Sequence, residues 1–205
     1  MTERRIVVAT GNPGKLRELE ALLAPRGYSL VPQHQLGVPE AEEPHPTFVE
    51  NALAKARHAS RLTGLPALAD DSGLCVPALL GAPGIYSARF AALHGGAKSD
   101  AANNALLVER LRHHTDRRAF FVSVVVLVRG ADDPCPIIGE GSWQGEIIDT
   151  PRGAHGFGYD PHFFVPAENL TAAELDPARK NQLSHRAQAM RGLLAKLDAG
   201  FGGGF

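Results

Sequence analysis

The sequence predicts an α/β protein, and three observations carry that prediction. Residues 5–10 (RIVVAT) form a β-branched run followed by a glycine loop, a helical pattern and a second short strand, the unit with which α/β folds commonly begin. Residues 119–129 (AFFVSVVVLVR) are the strongest β-type segment and read as a central strand of a sheet. Helical stripes alternate with the apolar runs, at residues 48–62, 101–112 and 184–197.

Taken in order, Gly11, Asn12, Pro13 and Gly14 break the first strand, and Lys15 starts a helix with Leu16, Leu19, Leu22 and Leu23 on one face. Pro25 and Gly27 end it, and residues 28–31 give the second strand. Residues 32–46, rich in proline and glutamate, read as loop. Thr47 with Glu50 makes a capping box for the helix over 48–62, whose apolar face is Phe48, Ala52, Ala56 and Ala59. Residues 67–69 read as a short strand entering a turn at 70–73, with 74–76 as the return strand. Residues 81–89 (GAPGIYSAR) read as loop. The helix over 101–112 turns Leu106, Leu107 and Leu111 inward. Residues 136–141 and 142–148 read as two strands joined by a tight turn, and 153–159 (GAHGFGY) as loop. The last helix carries Ala187, Met190, Leu194 and Leu197 on its stripe, with Ser184 as its cap, and the glycine-rich tail from Gly200 to Phe205 is expected to be disordered.

Composition narrows the function classes. The chain has 205 residues, 44% hydrophobic and 21% charged, which suits one globular domain over residues 1–199. A net charge of −1 argues against a DNA or RNA partner, since phosphate-backbone binders show a basic surplus. It leaves room for a single nucleotide, which needs only a few placed cations. Cys75 and Cys135 form no Cys-x-x-Cys pair, so neither a disulfide framework nor a closed zinc site is expected. The first apolar run is too short for a signal peptide or a membrane span, so a cytoplasmic protein with no membrane partner is expected.

Four groups of residues have chemical potential. The loop Thr10-Gly11-Asn12-Pro13-Gly14-Lys15 lies between a strand and a helix start, where bare amides, the helix dipole and a lysine suit phosphate; a plain turn with a solvated lysine reads equally well. It is no Walker loop, because the glycine spacing is too short and Leu16 stands where Ser or Thr would hold magnesium. Asp70 and Asp71, followed by Ser72 and Gly73, offer adjacent carboxylates for a hard cation and an activated water, or else an ordinary Asp-Gly turn. Lys55 lies two helical turns after Phe48, on or beside the apolar face, and either snorkels outward or enters a site. Glu42 and Glu43 precede that helix and can join the aspartates, or remain a solvated acidic loop. In the fourth group, Gly156 and Gly158 flank Phe157, which suits a ring on which a base stacks; Tyr159, Asp160, Lys180, His185 and Arg186 follow.

Six stretches in order, ATGNPGK (9–15), TFVENALAK (47–55), ADDSGL (69–74), GAPGIYSAR (81–89), GFGYDP (156–161) and SHR (184–186), resemble the inosine triphosphate pyrophosphatase family, the XTP/dITP diphosphatases, in its bacterial form. Any one is weak, but together they cover nearly the whole chain. The resemblance implies a strongly twisted mixed sheet with flanking helices, two lobes around a nucleotide cleft, and a homodimer. It implies that Thr10, Gly11, Asn12, Pro13, Gly14 and Lys15 hold the triphosphate with Lys55, that Asp71 is general base and Mg2+ ligand with Asp70 in support, and that Glu43, or its neighbour Glu42, completes the metal site. Ser72, Phe157, Gly158, Tyr159, Asp160, Lys180, His185 and Arg186 would surround the nucleotide. The implied reaction is Mg2+-dependent hydrolysis of XTP, ITP or dITP to monophosphate and pyrophosphate, cleansing the nucleotide pool. Donors from His185 and Arg186 at the 6-position would favour a keto purine over adenine. A Maf-type pyrophosphatase is the nearest rival, disfavoured by SHR and GFGYDP; a nucleotide-binding module without hydrolysis has no need of the paired acids.

Overall fold

The computed structural model describes residues 4–200. Its strands are β1 (Arg4–Val8), β2 (Tyr28–Pro32), β3 (Ala67–Cys75), β4 (Arg118–Val128), β5 (Ile137–Ile147), β6 (Phe163–Val165) and β7 (Leu170–Thr171). The helices are α1 (Pro13–Leu23), α2 (Phe48–Thr63), α3 (Asp100–Leu111), α4 (Pro177–Leu183) and α5 (His185–Asp198). The strands lie in the order β2-β1-β3-β4-β5-β6-β7. β1 pairs in parallel with β2 and β3, whereas β6 is antiparallel to β5 and β7, so the sheet is mixed and β4 is its middle strand, as its apolar run predicts.

The described residues fall into two compact units, and β3, β4 and β5 each contribute residues to both. The first unit holds residues 4–71, 123–141 and 186–200. Its core joins Leu19 and Leu23 of α1 and Ala189, Met190, Leu193 and Leu194 of α5 to Ile6, Val8, Leu68, Val125, Leu127 and Ile137. α2 begins at the Thr47 cap, whose Oγ1 accepts from the Glu50 amide at 3.4 Å, and ends at Gly64 in the left-handed region. Its buried Ala52, Ala56 and Ala59 make the small-residue face that the sequence marks out. The second unit holds residues 72–122 and 142–185, with a core of Leu74, Val76, Leu107, Leu111, Phe121, Trp143, Tyr159 and Phe163 among others.

Several expectations are corrected. Residues 70–73 make no turn: β3 runs unbroken through both aspartates, Ser72 and Gly73. Residues 136–148 do not form two strands either, since β5 is continuous over eleven residues. Two glycines of this strand are packing positions; a Cβ on Gly139 would lie 2.0 Å from the Ala189 carbonyl of α5, and one on Gly145 would meet the Phe163 ring at 2.6 Å. α1 begins at Pro13, two residues before Lys15, and short 3₁₀ segments occupy Gln33–Leu36 and Gly84–Arg89, both expected as loop. Residues 177–183 form a helix that no periodicity announced; Ser184, extended, stands between it and α5, at the capping position expected for the last helix. The expected disordered tail lies, past Gly200, outside the described residues.

Candidate active site

Asp70 and Asp71 are neighbours on a strand, so their side chains leave opposite faces. Asp70 shares a face with Leu68, under α1 and α5, and is enclosed there. Lys15 Nζ lies 2.5 Å from its Oδ1, the Ser123 hydroxyl of β4 donates to Oδ2 at 2.8 Å, and Arg186 Nε donates to Oδ2 at 3.3 Å. Arg186, only 2% exposed, also pairs with Glu18 on the next turn of α1 after Lys15. The result is a buried line of alternating charge: Lys15, Asp70, Arg186, Glu18. Burial opposes the ionisation of Asp70, but Arg186 and Lys15 outweigh it and hold the carboxyl well below the usual carboxylate range. Burial also draws the Lys15 ammonium below its ordinary value, against the attraction of Asp70.

On the opposite face Asp71 meets α2. Lys55 Nζ donates to Asp71 Oδ1 at 3.0 Å and to Glu43 Oε1 at 2.8 Å. Lys55 therefore points inward to the two carboxylates, and Glu43 rather than the exposed Glu42 makes the bond. Burial penalises the ammonium, yet Asp71 and Glu43 raise it above its usual value. Asp71 shifts the other way from Asp70: burial raises its carboxyl, and Lys55 and Lys15 compensate only in part. Its Oδ2 is buried with no hydrogen-bond partner among the described residues. The loop carrying Glu43 is pinned by Asn51 of α2, 1% exposed, which accepts from the His45 amide and donates to the His45 carbonyl, both at 3.1 Å.

The glycine loop between β1 and α1 is partly occupied by its own cap. Asn12 Oδ1 accepts from Gly14 N at 2.8 Å and Lys15 N at 3.2 Å, and Thr10 Oγ1 accepts from Asn12 N at 3.1 Å. The Gly14 and Lys15 amides, expected to be bare, are engaged; Pro13 fills the first helical position, and Gly11 is exposed beside the Glu40 carboxylate.

The remaining candidates belong to the second unit. Ser72 continues β3, half-buried, and Gly73 follows where a Cβ would strike the Gly84 carbonyl at 2.2 Å. Gly156 and Gly158 take φ of +79° and +63°, and a Cβ on Gly156 would lie 2.0 Å from Asp160 Oδ2. That oxygen accepts from Phe157 N at 2.8 Å and pairs with Lys180 Nζ at 2.6 Å, and Lys180 Nζ lies 5.2 Å from the Phe157 ring centre. Tyr159 is buried and its hydroxyl donates to the Ser87 carbonyl at 2.9 Å, so it anchors the loop; burial, aided by the charge of Asp100, raises its phenol. His185, 6% exposed, stacks on Phe121 at 4.7 Å.

The Ham1 family model matches residues 6–196. This chain belongs to the Ham1 family. Within its range, a dITP/XTP pyrophosphatase of Burkholderia pseudomallei is 70% identical over 193 residues, covering 94% of this chain and 93% of that protein. One from Bordetella pertussis is 67% identical over 196 residues, covering 96% and 92%. Among solved structures, a HAM1 protein from Coxiella burnetii superposes with a TM-score of 0.87 at 47% identity, covering 95% of this chain and 98% of that one. The Staphylococcus aureus Ham1 protein gives 0.83 at 40% identity, with the same coverage.

Sequence reasoning missed Glu18, Ser123 and Asn51. Glu18 resembles any solvated helix glutamate. Ser123 did carry a signal, as the one polar residue inside the apolar run of β4. Arg186, which the resemblance places at the base, pairs with Asp70 and Glu18. Among the described residues no group of three or more His, Cys, Asp or Glu is arranged to hold a metal ion, and no helix is long and apolar enough to cross a membrane.

Proposed function

We propose that this Ham1-family chain hydrolyses non-canonical purine nucleoside triphosphates (XTP, ITP, dITP) to the monophosphate and pyrophosphate. One observation carries the reading: Asp71 keeps a buried, unbonded carboxylate oxygen, and burial makes that carboxylate a stronger base than its neighbour. Asp71 takes the proton of a water that attacks the α-phosphorus; the bond from that phosphorus to the bridging oxygen breaks, and pyrophosphate leaves. Lys15 and Lys55 neutralise charge gathering on the phosphates, with Lys15 placed at the start of α1, where the helix dipole adds to it.

Magnesium fits the residues present. Three cations (Lys15, Lys55, Arg186) face four carboxylates (Glu18, Glu43, Asp70, Asp71), so the cluster is formally anionic and repels a triphosphate until a divalent ion reverses the balance. Asp71 and Glu43 supply hard oxygen ligands on the same lysine, and Mg2+ characteristically takes one or two carboxylates together with substrate phosphates. When bound, the ion screens the phosphates and acidifies water. Phe157 offers the base a stacking face, and His185 and Lys180 offer donors that suit a 6-keto group. The reading includes a homodimer in the cytoplasm, as the resemblance implies, and Cys75 and Cys135 are free thiols.

The test is a panel of triphosphates with product identification in magnesium. dITP or XTP should yield monophosphate and pyrophosphate much faster than ATP or GTP. Release of orthophosphate, or equal rates on ATP, would sink the proposal.

A further inference from the structure

The loop carrying Phe157 is held from behind by α3. Gly158 N–H donates to Asp100 Oδ2 at 2.7 Å, and Asn104 Nδ2 donates to the Gly158 carbonyl at 2.8 Å. Asp100 and Asn104 are one helical turn apart on the same side of α3, so together they grip the two peptide groups flanking Gly158, between Phe157 and Tyr159. We propose that Asp100 and Asn104 are positioning residues for base recognition: by fixing the Gly158 backbone they fix the Phe157 ring and set selectivity for the base. This deepens the functional reading above and rests on Phe157 being the base platform.

Three observations favour this over a plain structural contact. The first is conformational freedom. Gly156 and Gly158 both sit at positive φ without side chains to restrain them, so the segment needs outside anchors to hold one geometry. The second is room to move. A cavity of about 630 Å³ borders the loop, lined by Ala105, Val108, Gly156, Phe157 and Pro161 as well as Asp100 and Asn104. Without the grip the loop has space to shift.

The third is the state of Asn104. Its amide donates to both the Asp100 carbonyl, at 2.9 Å, and the Gly158 carbonyl, while its Oδ1 is buried with no partner among the described residues. A flipped amide would set that oxygen against two carbonyls, so the orientation is determined. A buried acceptor left unsatisfied lowers stability, and packing alone would select an apolar residue here. The side chain is explained by what its nitrogen holds.

The experiment compares Asn104→Ala and Asp100→Ala with Asp100→Asn, which keeps an oxygen for Gly158 N–H. kcat and KM are measured for dITP and dATP, with hydrogen exchange over residues 154–160. Since small misplacements of binding groups cost large factors, each alanine variant should lower the dITP/dATP ratio of kcat/KM by roughly tenfold or more, chiefly through KM for dITP. The pH profile of kcat should be unmoved, exchange at 156–159 should quicken, and Asp100→Asn should restore most of the ratio. A ratio within about twofold of wild type, alongside a lowered Tm, overturns the proposal and leaves a structural contact only. A wild-type enzyme without preference for dITP fails the functional reading instead, and unchanged exchange in the alanine variants then overturns the grip by itself.

Discussion

Replacing Asp70 with asparagine tests the buried charge line directly. The shape is kept, the charge is removed, and one of the two accepting oxygens becomes an amide donor. Lys15 and Arg186 then lose their shared anion, and Glu18 compensates Arg186 alone. Breaking a buried ion pair on one side costs about 3–5 kcal/mol. Lys15, already drawn down by burial, can shed its proton in the variant, which places the expectation at the lower end, about 3 kcal/mol. For a chain of this size each kcal/mol moves Tm by about 2–4 °C, so Tm at pH 7 should fall by about 6–12 °C.

The pH dependence supplies a second check. Asp70 has a depressed folded pKa against an unfolded value of about 3.9, so its contribution is fully present above that value and is lost as pH falls below it. The gap in Tm between wild type and Asp70→Asn should be widest near neutrality and shrink below about pH 4. Calorimetry across pH reads both. A gap under about 2 °C at pH 7, or one that stays constant into acid, refutes the reasoning. If the variant does not fold, Ser123→Ala removes one bond to the same carboxylate and should lower Tm by about 3–6 °C, from about 1.5 kcal/mol.

Further predictions concern the other face of β3. Asp71→Asn should bind dITP with little change by calorimetry while kcat falls by about 10²–10⁴; turnover within tenfold of wild type removes Asp71 from its role. Because burial raises the Asp71 carboxyl, side-chain NMR of the magnesium-free protein should show Asp71 titrating above the ordinary aspartate range near 3.9, and titration at or below that range counts against it. Asn51→Ala frees the loop bearing Glu43 and should raise the magnesium needed for half-maximal rate by roughly tenfold, with little change in kcat at saturation; an unchanged requirement counts against Glu43 as ligand.

The α/β class, the middle position of β4 and the capping box at Thr47 were legible because hydrophobic period and cap chemistry are local. The course of β3 was not. Asp, Asp, Ser and Gly each favour turns in isolation, and only partners distant in sequence hold them extended: Lys15, Ser123 and Arg186 around Asp70, and the Gly84 carbonyl against Gly73. β5 misled as well, since Gly141 and Ser142 read locally as a tight turn while the strand runs on through them. In the candidate site Lys15, Lys55, Asp70 and Asp71 could be named from motif order. Their inequality could not: which aspartate is sealed by cations and which keeps a bare oxygen depends on burial and on the face each occupies.

That dependence makes the site a matter of parity. Along β3 every even position from Leu68 to Asp70 meets α1 and α5, and Asp71 meets α2. Inserting or deleting one residue just before Asp70 would exchange the two faces while leaving both aspartates in place along the chain. The sealed acid would then lie beside Lys55 and the basic one beside Arg186. Length variation and grafting in this lineage are therefore expected in the connections that flank β3, and single-residue indels within it should be lethal to turnover even where the fold survives.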